Sequence, residues 1–271
     1  MPVHKMSDLI ARPPQDFVSV LATEESLFLV GGQAVNLWAL YYIERTSDLS
    51  PFVSRDLDVL GDRETLRKIA GIAGVKPQFF SLRPPTNEVG VILTKGMDGQ
   101  PLAVEVLSYV HGITNEQLCH PDYTIGIGGE SGVMVHVPGP VALLQAKIAN
   151  AADLIQTGRQ DNRHVRILAK LMPAYLTDIQ NSVTDGRIKE RDLLNLLEHL
   201  LVTVSSPKAH RVLNDLGICA TTMFSELKSI QSSKLHSFMK NAVSAGFTLN
   251  LYPSLRKCGK YVQNPSTSGG W

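Results

Sequence analysis

The sequence predicts an α+β (α/β) protein: a mixed sheet with flanking helices, followed by a C-terminal helical bundle. Three observations predict it. Residues 28–62 read as strand, glycine pair, helix and second strand. Three short apolar runs punctuated by turns follow before residue 108. From Pro138 onward, leucines and other apolar residues recur at three- and four-residue intervals. The expected division is a sheet-bearing domain at 1–138, a helical domain at 139–262 and a disordered tail at 263–271.

The 271-residue length suits one large or two modest domains, each able to bury a core. A net charge of +1 with 19% charged residues gives no whole-protein argument for nucleic acid or a membrane surface. Cys119, Cys219 and Cys258 lie far apart and form no C-x-x-C pair, which argues against a cysteine zinc site and for a reducing compartment. The opening MPVHKMSDLIARPPQDF lacks an apolar run of signal-peptide length, and no 18-residue apolar stretch occurs. The expectation is a cytoplasmic protein with no membrane partner.

In order, a short helix is expected over Gln15–Thr23, entered through Pro13-Pro14. A strand, Leu27–Val30, stops at Gly31-Gly32, and a helix runs from about Gln33 to Arg45. Two glycines at a strand-to-helix turn let backbone approach a ligand, and the helix start that follows suits phosphate. The next strand carries Asp56-Leu57-Asp58. Residues two apart on a strand share a face, so the two carboxylates project together, roughly 6 to 7 Å apart at Cα. Taken alone, this D-x-D fits a half-exposed strand with wet carboxylates equally well. Together with the glycine pair it makes the combination that Mg²⁺-nucleotide chemistry requires.

Asp62 sits where a helix N-cap belongs, and RETLRKIAGIAG continues helically until Gly74. Runs at 77–82, 88–94 and 102–108 read as strands, the last two as a hairpin. Glu105 interrupts the apolar run Leu102–Leu107. It either faces water on an edge strand or joins Asp56 and Asp58, and three acids can hold two Mg²⁺. Strands at 123–127 and 133–137 flank GIGGESG, which reads as a hairpin turn, since no P-loop lysine follows it.

The combination VGGQAVNLWALYY, SRDLDVLG and LAVEVLSYVHGI resembles the DNA polymerase β superfamily of nucleotidyltransferases, and most of all its AbiEii-like branch, which includes toxins of type IV toxin–antitoxin systems. The resemblance covers about Leu27 to Leu168. It implies a nucleotidyltransferase fold in which Gly31, Gly32 and Ser54 hold a nucleoside triphosphate. Asp56, Asp58 and Glu105 would carry the Mg²⁺ ions, with Glu105 as base. Glu105 stands where the family usually has Asp, and Gln160 where it often has Lys.

Pro140 opens a helix whose apolar face is Val141, Leu144, Ile148 and Ala151, with Lys147 off it. Such a lysine is ordinarily solvated; the resemblance turns Lys147 toward nucleotide phosphates. Asp161 fits as the N-cap of the next helix, and on the resemblance it belongs to the nucleotide site, with Arg159, Arg163 or His164 in reach. His164 by itself fits a packing or surface residue. Helices then follow over 163–179, 189–204 and 206–217. From Pro207 to Trp271 eight basic residues stand against two acids, a charge balance suited to RNA.

The implied activity is transfer of a nucleoside monophosphate to an acceptor hydroxyl, on an RNA or tRNA 3′ end or a protein. An antibiotic-like small molecule is the alternative acceptor. The other alternative is a nucleotide-binding interaction module that has lost turnover. An antitoxin, if present, is expected as a separate chain.

Overall fold

The computed structural model describes residues 9–21, 27–81, 86–96, 98–127 and 133–227. Within them the chain is α+β, with one seven-stranded mixed sheet and helices packed about it. The expected GIGGESG turn (in its 128–132 part), Cys258 and the C-terminal tail lie outside the described residues.

After a 3₁₀ turn at Pro14–Phe17 and a single helical turn α1 (Val18–Leu21) comes β1 (Phe28–Val30). Next are α2 (Gly31–Tyr41), α3 (Ile43–Thr46), β2 (Asp56–Leu60) and α4 (Arg63–Ile72). β3 (Gln78–Phe79), β4 (Glu88–Lys95) and β5 (Pro101–Leu107) follow, then α5 (Asn115–Leu118), β6 (Asp122–Ile127) and β7 (Val133–Pro138). Four α-helices follow, α6 (Pro140–Asp153), α7 (Asp161–Thr184), α8 (Glu190–Ser205) and α9 (Pro207–Asp215), and then a 3₁₀ turn at Ala220–Phe224.

The strand order is β3-β4-β5-β2-β1-β7-β6. β2 lies parallel to β5 and β1 parallel to β7, whereas β1/β2, β3/β4, β4/β5 and β6/β7 are antiparallel. The strands of both expected hairpins pair antiparallel. The expected single helix over 33–45 is different: the glycine pair opens α2 rather than preceding it, and the helix breaks at Tyr42 before the short α3.

Strand alternation sorts the sheet into two faces. Leu29, Leu57, Val59, Val104 and Val106 are fully buried in the main core, each side chain contributing about 1.5–3 kcal/mol by leaving water. That apolar cluster continues without a break into α6, α7, α8 and α9. Asp56, Asp58 and Glu105 lie on the opposite face between two small apolar patches. Val30, Leu118 and Ala142 form one patch, and Leu9, Val91 and Ala103 the other.

Local chemistry sets the helix ends. Asp62 accepts from the backbone N–H groups of Glu64 and Thr65, both at 2.9 Å, and Thr65 Oγ1 accepts from the Asp62 N–H. This reciprocal cap stabilises α4 by about 1 kcal/mol. Pro140 is the first residue of α6, and Ser206 caps α9 through the Ala209 N–H. Trp38 on α2 donates to the Pro138 carbonyl at 2.8 Å and meets Tyr123 and Tyr175 edge-on. The two tyrosine hydroxyls are 2.6 Å apart, so α2, β6, β7 and α7 share one aromatic joint. That joint ties the middle of α7 to the sheet.

Candidate active site

The register of β2 against β5 builds the acidic cluster. Asp58 pairs with Glu105 and Asp56 with Ala103, so all three acids share a face. Oxygens of Asp56, Asp58 and Glu105 lie within 4.8 Å of one another, a hard-oxygen donor set suited to a divalent cation such as Mg²⁺. Burial, followed by the neighbouring charges of Asp56 and Glu105, pushes the Asp58 carboxyl well above the usual range; Lys147 and the Gly32 N–H oppose this. Burial, Asp56 and Glu88 push Glu105 up to about 7, against the pull of Arg55. Acids held this far from their ordinary ionisation are short of positive charge, which a bound cation supplies.

Gly31 makes room for this arrangement. It has φ +69°, and a β-carbon there would lie 1.7 Å from Asp58 Oδ2. The Gly32 N–H is hydrogen-bonded to Asp58, so this donor of the α2 start holds an acid. A β-carbon on Gly32 would meet Ser54 Oγ at 2.8 Å and His164 Cε1 at 3.3 Å. Ser54 Oγ in turn donates to Asp56 Oδ1 at 3.0 Å, and its backbone bridges to Arg12.

On the other side of the cavity, α6 and α7 contribute charge. Lys147, only 7% exposed, donates to Asp161 Oδ1 at 3.1 Å, and Arg159 donates to Asp161 Oδ2 at 2.7 Å. Burial works to raise the Asp161 carboxyl, but Lys147 and Arg159 outweigh it and hold it below the ordinary range. Two expectations change here. Lys147 is buried and paired, because the packing of α7 on α6 puts Asp161 against it. Asp161 is the first residue of α7, with Gln160 in the cap position, and its carboxylate serves the α6 contact instead of its own helix end.

Gly31, Gly32, Ser54, Asp56, Asp58, Glu105, Lys147 and Asp161 all line one cavity of about 330 Å³. Taken alone, His164 reads as a packing or surface residue, and only the resemblance brings it within reach of the nucleotide site. It lines the same cavity, is 4% exposed, and both ring nitrogens are without a hydrogen-bond partner. Asn150, three residues beyond Lys147 on α6, went unnoticed; it donates to Asp161 at 3.4 Å and leaves its Oδ1 unpartnered. Helical spacing from Lys147 was the available signal for it. Gln160 accepts from Arg163 at 2.8 Å. Arg163 itself donates to the backbone carbonyls of Leu49 and Pro51, tying α7 to the loop before Ser54.

No family model matches this chain, and no curated protein gives a significant match. Among solved structures it is similar to an antigenic nucleotidyltransferase-like protein from Paracoccidioides brasiliensis. The identity is 16%, the match covers 76% of this chain and 95% of that one, and the TM-score is 0.39. So loose a likeness carries no weight for the site, whose reading rests on its own residues. Among the described residues, no helix is long and apolar enough to cross a membrane.

Proposed function

We propose that this protein is an AbiEii-like, Mg²⁺-dependent nucleotidyltransferase that moves a nucleoside monophosphate from a nucleoside triphosphate to a hydroxyl of an RNA 3′ end or a protein. The observation that carries the reading is the Asp58–Glu105 register, which gathers three carboxylates beside a glycine-opened helix and a buried lysine.

Asp56, Asp58 and Glu105 are the residues that would hold Mg²⁺, which when bound neutralises phosphate charge and favours ionisation of the acceptor hydroxyl. Ser54 fixes the orientation of Asp56 through its 3.0 Å hydrogen bond. The triphosphate lies along Gly31-Gly32, with Lys147 and Arg159 supplying positive charge. Glu105 takes the acceptor proton. The acceptor oxygen bonds to the α-phosphorus, the bond from that phosphorus to the β-bridging oxygen breaks, and pyrophosphate leaves. Such a transfer depends mainly on positioning and charge.

The test is transfer of label from each α-³²P nucleoside triphosphate, in Mg²⁺, to total RNA and to soluble protein. Wild type should label one acceptor class, and Asp56→Ala/Asp58→Ala neither. Labelling by the double variant, or none by a wild type that binds nucleotide, would overturn the proposal. A toxin role further requires growth arrest on expression alone, relieved by Asp58→Ala.

A further inference from the structure

His164 has no role in the scheme above, yet it is a nine-tenths-buried polar side chain facing the same cavity with its whole hydrogen-bonding capacity unused. An unmade hydrogen bond in such a place costs about 1–3 kcal/mol, and proteins rarely carry it without an ordered water, an ion or a ligand to meet it. The ring's orientation narrows the choice of ligand. Cε1, the carbon bonded to both nitrogens, is the ring atom turned to Gly32, 3.3 Å from where a β-carbon would stand. Both nitrogens therefore flank the first turn of α2.

The charges about the ring are mixed. Lys147, Arg159 and Arg163 act on it electrostatically, Asp161 opposes them and pairs with the first two, and Asp56, Asp58 and Glu105 line the same cavity, so the anion suited to this place is one that arrives with Mg²⁺. Burial and those cations keep the imidazole neutral, so it carries one N–H donor and no charge that must be desolvated.

We infer that His164 is a polyphosphate-binding residue, donating a ring N–H to a non-bridging oxygen of the β- or γ-phosphate lying beside Gly32. This rests on the nucleotidyltransferase reading and adds to it a contact to the leaving pyrophosphate. The absence of a side chain at Gly32 then has a second use: it leaves the space into which the ring edge and Ser54 Oγ fit.

The test is titration calorimetry in Mg²⁺ with inorganic tripolyphosphate, ATP and adenosine, on wild type, His164→Leu and His164→Gln. The Leu variant should bind tripolyphosphate and ATP about tenfold more weakly, with adenosine unaffected. The Gln variant, whose amide restores a donor, should recover most of that loss. Thermal melting without ligand should be unchanged or higher for His164→Leu, because an unmet polar group has been replaced by an apolar one. A residue that only supports the fold would behave oppositely, with a lower melting temperature and equal loss for all three ligands. If His164→Leu does not fold, His164→Gln decides, together with the ring ¹⁵N resonances of wild type, which should shift on adding tripolyphosphate.

Equal affinity in wild type and the Leu variant would overturn the His164 assignment and leave the proposed function standing. A wild type that binds neither tripolyphosphate nor ATP would overturn both.

Discussion

Asp58 on β2 and Glu105 on β5 stand directly opposite one another across a parallel strand pair, 47 positions apart in sequence yet neighbours in one cluster of acids. Three carboxylates in this space repel, and without a cation the repulsion is relieved by taking up protons.

The first prediction concerns pH. Glu105 sits at about 7 in the folded protein against an ordinary value of 4.5, and Asp58 moves in the same direction. Between those values the native state binds more protons than the unfolded chain, so the contribution is complete below 4.5 and disappears as pH rises through 7. Metal-free protein should therefore lose melting temperature from pH 5 to pH 7.5, roughly following this linkage. Glu105→Gln should flatten the profile, and Mg²⁺ should restore stability chiefly at the upper end. A profile that rises over this range in EDTA would contradict the assignment.

Gly31 and Gly32 should respond unequally to alanine. At Gly31 the new methyl would overlap Asp58 Oδ2 in a left-handed backbone, so Gly31→Ala should cost about 3 kcal/mol or more and abolish tight Mg²⁺ binding. At Gly32 the nearest atoms belong to the side chains of Ser54 and His164, which can give way, so Gly32→Ala should fold with a cost of about 1–2 kcal/mol. Urea unfolding of both variants, with Mg²⁺ titration, measures the difference.

The Lys147–Asp161 pair is a buried ion pair, and its members should fail separately. Asp161→Asn leaves Lys147 and Arg159 without their shared anion and should cost about 3–5 kcal/mol. Lys147→Met is milder, because Arg159 and Asn150 still hold Asp161. A double-mutant cycle by urea unfolding should give a coupling of about 1–3 kcal/mol. Coupling indistinguishable from zero would mean the pair contributes nothing to holding α6 on α7.

Ser54→Ala removes the donor that orients Asp56 but no charge. Turnover should fall about tenfold with the melting temperature nearly unchanged. An unaltered rate would show that Asp56 is held by other contacts.

What the sequence made legible was what depends on neighbours along the chain. The 88–107 hairpin, the Asp62 cap, the shared face of Asp56 and Asp58, and the α6 start at Pro140 all follow from spacing, turn residues and propensity. Glu105 was visible as a charge in an apolar strand, but its partner depended on β2 lying parallel to β5, which periodicity does not specify. Lys147 and Asp161 were each noticed, yet their pairing needed the packing of one helix on another. His164 gave the weakest signal, since a lone histidine on a helix says nothing of its surroundings until the ring is found against Gly32.

Asp58 Oδ2 occupies the volume that any side chain at position 31 would need. The two positions are therefore a single unit of inheritance. A descendant that gains even a methyl group at 31 must shift or surrender its acid at 58, whereas one that loses the acid still meets a left-handed backbone at 31 that favours glycine on its own account. In a collection of aligned sequences, any side chain at 31 would thus mark a lineage whose acid at 58 has moved or gone.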